Sequence, residues 1–258
     1  MSRRFNEDGF LGDDLTLIAR QVHERYDSQV ALFNKTNAAA WDRQYSLHAV
    51  RGSPRDAFGA AYYGRVLMLV QATVLCLERG ITPAASIVLR SATETLFTLG
   101  ALARCPERIK RIVSDTEIRK RDMLNKISRA NVSSASAHVN TPVDRERMDE
   151  LLATPGSELS AFSLAEDAGL RDWYLTIYAR LSWPVHAAAN DLEAHLVVVD
   201  GELQEIVNEP ILDGQDYLWM VCTNVCILAM QYVAEIFASD TVIIDSLNRE
   251  FEDLYDSK

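Results

Sequence analysis

Apolar residues recur at three- and four-residue steps along most of the chain, which is the spacing of one face of an α-helix. In the segment Asp14–Asn34, the residues Leu15, Val22, Tyr26 and Phe33 follow this spacing, so the segment is predicted to be an amphipathic helix. Similar segments follow towards the C-terminus. The pattern therefore predicts an all-α fold.

Two helix start signals stand close together in the first half of the chain. Ser53 and Pro54 place an N-cap residue before a proline at the first helical position, and Thr82 and Pro83 repeat this signal. Gly80 suits the position just beyond a helix end. The sequence therefore predicts helices over about 54–80 and 83–104, joined by a short turn as an antiparallel hairpin.

The middle of the chain is more polar. Pro106 begins a predicted fourth helix that reaches about Arg129, and Asn131–Pro142 is rich in Ser, Ala and Asn, which is typical of a loop. A short helix at about 143–153 and a single helical turn near Leu164 follow. We expect these segments to form a looser insertion at about 131–169.

The C-terminal third contains a strand signal. In LVVVDGELQEIV (Leu196–Val207), an Asp-Gly pair stands between β-branched residues, which favours a β-hairpin with a two-residue turn. Helices are predicted on both sides of it, the last two at about 214–238 and 241–255. Together the elements predict a single domain over residues 1–258, an α-helical bundle of about seven to eight helices with one small β-hairpin.

The net charge of −11 is unevenly distributed. Residues 104–129 hold nine Lys or Arg against four Asp or Glu, whereas residues 191–258 hold fifteen acidic residues against two basic ones. The basic run has two interpretations. Its acidic residues are spaced to form ion pairs along a solvated helix face, or the run forms a surface that faces phosphate groups.

Composition favours a cytoplasmic protein. The most apolar segment, Tyr217–Ala238, includes Thr, Asn, Gln and Glu, and it does not reach the roughly 18 uncharged apolar residues that a membrane span needs. Its apolar residues nearly encircle the helix, so we expect a central core helix or an oligomer interface rather than a membrane segment. The four cysteines form no C-x-x-C pair, and the N-terminus lacks the apolar region of a signal peptide.

The stretch RLSWPVH, residues 180–186, carries the first candidate chemistry. Histidine moves protons near neutral pH and arginine stabilises charge on phosphorus, so Arg180 and His186 are the candidate catalytic residues for metal-independent phosphodiester cleavage. On a straight helix their side chains would diverge by about 120°. They converge only if the helix bends, and Pro184 allows a bend at residues 182–183. The alternative is that both residues have local structural roles.

Arg90 and Glu94 form a second candidate pair. They lie four residues apart on one face of the third predicted helix, in an apolar stretch where charged groups must be paired. We expect them to pair with each other and with Arg180 or His186 in a polar cluster inside the bundle. A structural salt bridge within the helix explains the pattern equally well.

A third group lies along the helix predicted after the bend, where His186, Asn190 and Glu193 share one face. Asn190 is a candidate substrate-binding residue, together with Arg90, Glu94 and Tyr178. Tyr174 and Tyr178, just before Arg180, could hydrogen-bond a substrate or pack in the core, and packing is the favoured role. Since the chain offers no second cluster of His or Cys ligands, we expect no metal and no cofactor.

Two resemblances bear on function. The tract ASIVLRSATETLFTLGAL (Ala85–Leu102), followed downstream by YARLSWPVHAAAND, the Asp-Gly hairpin and the last helices, resembles the DUF5677 family of bacterial proteins from about Gly64 to Ala238. The R-x5-H spacing is similar to the R-x4-6-H signature of HEPN domains. These are helical bundles, many of them ribonucleases of toxin–antitoxin and phage-defence systems, and they usually act as dimers that bring two such motifs together.

The HEPN resemblance implies that Arg180 stabilises the phosphate and His186 acts as the acid–base residue. The chain departs from the HEPN pattern at Leu181, because the residue after the arginine is commonly polar in HEPN proteins. Two hypotheses result. One is a HEPN-like interaction or regulatory component of a bacterial defence or toxin–antitoxin system, working as a homodimer or with another protein. The other is a metal-independent endoribonuclease that cleaves RNA.

Overall fold

The structure is a computed structural model that describes residues 9–12, 15–129, 158–186, 193–206 and 209–255. It confirms a predominantly helical fold with one two-stranded hairpin. The longer helices are α1 (Leu15–Arg25), α2 (Asp27–Ser46), α3 (Pro54–Leu77), α4 (Thr82–Arg104), α5 (Ile109–Arg129), α6 (Ala161–Asp167), α7 (three consecutive parts, Arg171–Trp173, Tyr174–Tyr178 and Ala179–Leu181), α8 (Asp216–Phe237) and α9 (Val242–Tyr255). Single 3₁₀ turns lie at Gly9–Leu11, Pro106–Arg108, Pro184–His186 and Glu193–His195.

The α3–α4 hairpin forms as predicted, with one difference at the second start signal. Helix α4 begins at Thr82 itself, without a side-chain cap, and the Thr82 hydroxyl donates to the Ile211 carbonyl at 3.2 Å. The Ser53 hydroxyl accepts a hydrogen bond from the Asp56 backbone N–H at 3.3 Å, which caps the first turn of α3. Gly80 has a φ of +69°, and a Cβ at this position would lie 2.6 Å from the Pro210 Cβ. Glycine is therefore required at this turn both for its backbone conformation and for the close approach of Pro210.

The helix predicted over Asp14–Asn34 is present with an interruption at one residue. The helix breaks at Tyr26, and α2 then continues to Ser46. Tyr26 has a φ of −115° and a ψ of 31°, outside helical geometry, but its N–H still donates to the Val22 carbonyl at 2.9 Å and its carbonyl still accepts from the Val30 N–H at 2.8 Å. Its hydroxyl donates to the Leu212 carbonyl at 2.7 Å. The extension of α2 places the Ala40 carbonyl where it accepts a hydrogen bond from the buried Tyr63 hydroxyl at 2.8 Å.

Helix α8 is the central core helix, one of the two roles predicted for its apolar segment. It packs against α2, α3, α4 and α9. Trp219 and Tyr232 are almost completely buried, and so are the thiols of Cys222 and Cys226. By length and composition alone, α3 and α8 are long and apolar enough to cross a membrane, a test that the core helix of a soluble protein also passes.

Part of the predicted insertion packs on the bundle. Helix α6 lies against α4 and buries Leu164 and Ala165. The predicted loop at 131–142 and the predicted helix at 143–153 lie outside the described residues. The division of the chain into one domain with a looser insertion stays a prediction.

The Asp-Gly signal correctly predicted the hairpin. Strands β1 (Leu196–Val199) and β2 (Glu202–Ile206) are antiparallel, and the turn between them consists of Asp200 and Gly201. Both turn residues have positive φ, 54° and 81°, as expected for the turn type that matches strand twist.

Candidate functional site

Four side chains from α4 and the end of α7 form a hydrogen-bonded network, which we call the Arg90 network: Arg90, Glu94, Tyr178 and Ser182. The Arg90 guanidinium lies 3.2 Å from the Glu94 carboxylate and donates to the Ser182 hydroxyl at 2.9 Å. The Tyr178 hydroxyl accepts from Arg90 and donates to Glu94. The three residues predicted at a shared site, Arg90, Glu94 and Tyr178, are therefore brought together.

Tyr178 is the centre of the Arg90 network. Its ring is buried, stacks on Tyr174 with centroids 5.0 Å apart, and packs against Phe97 at 5.8 Å. Burial raises the pKa of Tyr178, and its hydrogen bond to Glu94 raises it further. The phenol therefore stays protonated at neutral pH and acts as a hydrogen-bond donor to the carboxylate.

The backbone before Arg180 is unusual. Tyr174–Tyr178 is π-helical, between two α-helical turns. A π-helical turn inserts an extra residue per turn, so it changes which side chains face the bundle, and such turns are often found at functional sites. Here the turn ends at the residue whose hydroxyl joins Arg90 to Glu94.

Arg180 does not join the Arg90 network, contrary to one expectation for the polar cluster. Its side chain is exposed, and the guanidinium lies over the Tyr217 ring, 4.0 Å from the centroid. It borders an open cavity of about 210 Å³ that Trp183 and Pro184 also line. Among the described residues, no carboxylate forms an ion pair with Arg180.

The predicted bend after Arg180 is present. Helix α7 ends at Leu181, residues 182–183 form a turn, and Pro184 begins a separate 3₁₀ turn that includes His186. The side chain of His186 and the whole of Asn190 lie outside the described residues. The convergence of Arg180 and His186 therefore stays a prediction.

One face of the β-hairpin is entirely aliphatic and exposed. In the register of the hairpin, Leu196 pairs with Ile206 and Val198 pairs with Leu203, so these four side chains share one face. Their exposed fractions are between 40% and 58%. A bulge between the two pairs keeps Ile206 on the same face as Leu203. We call these four residues the hairpin face.

Part of the basic run is paired as its solvated-face interpretation predicts. Three of its basic residues form ion pairs with acidic residues of the same helix. These pairs are Arg119–Asp115 at 2.6 Å, Lys120–Glu117 at 3.0 Å and Arg121–Asp122 at 2.7 Å. These pairs involve all three acidic residues of α5 but only three of its seven basic residues, so the sequence of α5 keeps an excess of positive charge.

Sequence reasoning missed two residues of the site. Ser182 bonds Arg90 and also donates to the Tyr178 carbonyl at 2.7 Å, and Tyr217 supports Arg180. The four-residue spacing of Tyr178 and Ser182 was a usable signal, because serine often bonds the carbonyl four residues earlier in a helix. No local pattern links Tyr217 to Arg180, which lies in another helix.

Comparison with known proteins identifies one family. DUF5677, described as a family of unknown function, matches residues 56–203, more than half of the chain. The matched region runs from α3 to the start of β2 and includes the Arg90 network and Arg180. No curated protein and no solved structure matches the chain significantly.

Proposed function

The chain belongs to the DUF5677 family, whose function is unknown, and we propose that it is a homodimeric, HEPN-like interaction or regulatory component of a bacterial defence or toxin–antitoxin system, acting in the cytoplasm. The observation that carries the proposal is the exposed hairpin face, which is an association surface. A further protein partner would then bind the dimer.

The hairpin face suits a partner that covers it. An isolated two-stranded hairpin is marginally stable in water, and a contiguous exposed apolar patch usually marks an interaction site. A second copy of the chain fits because the opposite hairpin face carries Glu202 and Glu205, paired with Val199 and Val197. Two aliphatic faces can meet around a two-fold axis while these carboxylates remain in water.

The hairpin also lies close in sequence to the R-x5-H stretch. Leu196 follows His186 by ten residues, so a dimer built on the hairpins would bring two copies of that stretch near each other, the arrangement that the HEPN resemblance implies. The Arg90 network supports a positioning role rather than catalysis, because its three charged or phenolic groups already bond one another. It links α4 to the end of α7, directly before the bend.

Light scattering during size-exclusion chromatography tests the proposal. We expect a dimer for the native chain and a monomer for Val198→Lys and Leu203→Lys, because each places a charge in the apolar interface. Val242→Lys is the matched control, since Val242 is 75% exposed on α9 and is not part of the hairpin face. A native chain that is monomeric at all concentrations, or a control that dissociates equally, would refute the proposal.

The second candidate function is a metal-independent endoribonuclease, favoured by the exposed Arg180. A guanidinium held against Tyr217 without a carboxylate partner among the described residues is available to a phosphate, and the half-exposed Trp183 beside it offers a surface for base stacking. In this mechanism the RNA 2′-oxygen attacks the adjacent phosphorus while the P–O5′ bond breaks, which gives a 2′,3′-cyclic phosphate and a 5′-hydroxyl end. His186 takes the proton from the 2′-hydroxyl, the leaving 5′-oxygen gains a proton, and Arg180 stabilises the phosphoryl oxygens.

Incubation of purified protein with RNA tests this candidate. If it is correct, cleavage is lost in Arg180→Ala and His186→Ala and retained in Arg171→Ala, which removes an exposed arginine at the other end of α7. RNA that remains intact with the native chain rules out the nuclease and leaves the dimer proposal standing, so the two functions are tested separately.

A further inference from the structure

A second cavity, of about 430 Å³, lies between α3, α4, α5 and the segment that enters α6. Its volume is in the range of small-molecule sites. The residues that line it are mostly polar, and they include Arg65, Glu94, Thr95, Thr98, Asp115 and Arg119. Arg180 does not border this cavity, so it is separate from the proposed nuclease site.

The α4 wall of the cavity consists of hydrogen-bond acceptors. The hydroxyls of Ser91, Thr95 and Thr98 each donate to a backbone carbonyl four residues earlier, at 2.8–3.4 Å. A hydroxyl that donates its hydrogen keeps lone pairs that accept. Glu94 adds a partly exposed carboxylate to this wall. A ligand must therefore present hydrogen-bond donors to α4.

The α3 side of the cavity carries Arg65, a cation without a partner among the described residues. No hydrogen bond or ion pair joins Arg65 to another residue in the part of the chain that the structure describes, and its side chain is exposed. Arg119 lies in the same lining but is bonded to the buried Asp115 at 2.6 Å. The other Asp115 oxygen accepts from the Leu159 N–H at 2.6 Å. Considering the described residues alone, the positive charge on Arg65 is available to an anionic group.

The charges along the α4 wall also determine which kind of hydrogen-bond donor a ligand should present. Glu94 is already paired with Arg90 at 3.2 Å, so the α4 wall has little net negative charge and favours neutral hydroxyl donors over an ammonium group. From these features we propose that the cavity binds the phosphate monoester of a sugar, either free or as part of a nucleotide. The phosphate bonds Arg65, and the sugar hydroxyls donate to Glu94, Thr95 and Thr98.

Isothermal titration calorimetry with ribose 5-phosphate tests the assignment. We expect binding by the native chain, and affinity that is weaker by about tenfold or more in Arg65→Gln, the usual cost of losing a charged hydrogen bond. Arg79→Gln is the control, because Arg79 is exposed in the α3–α4 turn and does not line the cavity. Thr95→Val keeps the side-chain shape and should weaken binding by removing an acceptor.

Other titrants separate the possibilities. Adenosine 5′-monophosphate that binds more tightly than ribose 5-phosphate identifies a nucleotide, and the reverse order identifies a free sugar phosphate. If inorganic phosphate binds as tightly as ribose 5-phosphate, the contacts with the α4 wall contribute nothing and the proposal is overturned. If L-glutamate binds as tightly, the phosphate group is not needed and the proposal is also overturned. Absence of heat with both sugar phosphates, or equal loss in Arg65→Gln and Arg79→Gln, also overturns it. None of these outcomes depends on dimerisation.

Discussion

Removing one oxygen atom, in Tyr178→Phe, tests whether the Arg90 network stabilises the fold. The substitution keeps the ring between Tyr174 and Phe97 and deletes the bond donated to Glu94 and the bond accepted from Arg90. A hydrogen bond to a charged group contributes about 1.5–3 kcal/mol. Because the side chains of Glu94 and Arg90 are 39% and 22% exposed and still pair at 3.2 Å, water compensates part of the loss. We therefore expect a total loss of about 2 kcal/mol.

Urea unfolding followed by circular dichroism measures this loss, and a thermal scan should show a decrease of about 4–8 °C in Tm. Tyr174→Phe is the control, since no residue that the structure describes forms a hydrogen bond with the Tyr174 hydroxyl although the two rings stack. The control should change the free energy of unfolding by less than about 0.5 kcal/mol. Equal stability of the two variants would refute the argument that the phenol holds α4 and α7 together.

Three further predictions concern packing, ionisation and the exposed arginine. Gly100→Ala should lower the free energy of unfolding by about 1–2 kcal/mol in the same urea assay, because the new Cβ would lie 2.6 Å from Ala168 and 2.8 Å from the Tyr232 ring, and overpacking outweighs the gain in helix propensity. Burial raises the pKa of Cys226 to about 12 and that of Tyr232 to about 12. The unfolded chain, with ordinary pKa values, releases these protons at lower pH than the folded chain does, so the urea midpoint should fall as pH rises above about 9. A constant midpoint up to a pH of about 11 would contradict this prediction. Arg180→Ala should cost no more than about 1 kcal/mol in the urea assay, as expected for an exposed cation–π contact, and a larger loss would indicate a structural role.

The sequence predicted those parts of the fold that depend on local chemistry. The cap at Ser53, the turn at Gly80 and the Asp-Gly hairpin are each set by a few neighbouring residues, and all three are confirmed. The interruption at Tyr26 was missed, and so was the hydrogen bond from its hydroxyl to the carbonyl of Leu212, which is distant in sequence. Helical periodicity continues through that break, so the apolar pattern alone cannot reveal it.

In the candidate site, too, contacts between neighbouring residues of one helix were predictable, whereas contacts between helices were not. The pairing of Arg90 with Glu94 follows from their i, i+4 spacing and was predicted from it, whereas the partners Tyr178 and Ser182 come from another helix. Buried charges require partners, so the apolar surroundings of Arg90 predicted further partners, but Arg180, one of the two named, does not join the network. The π-helical turn that helps to orient Tyr178 has no sequence signal that we recognise.

The Arg90 network also clarifies what the bend at Pro184 contributes. Ser182, the first residue after α7, is bonded to Arg90 and to the Tyr178 carbonyl, so the start of the bend is attached to α4. Arg180, two residues earlier, is attached to α8 through Tyr217. The proline permits the bend, but these contacts from two core helices determine where the arginine lies. A catalytic pair would therefore need His186 to approach a guanidinium whose position is already set by Tyr217. Substitution of Tyr217 by Ala should reduce any RNA cleavage without affecting the Arg90 network.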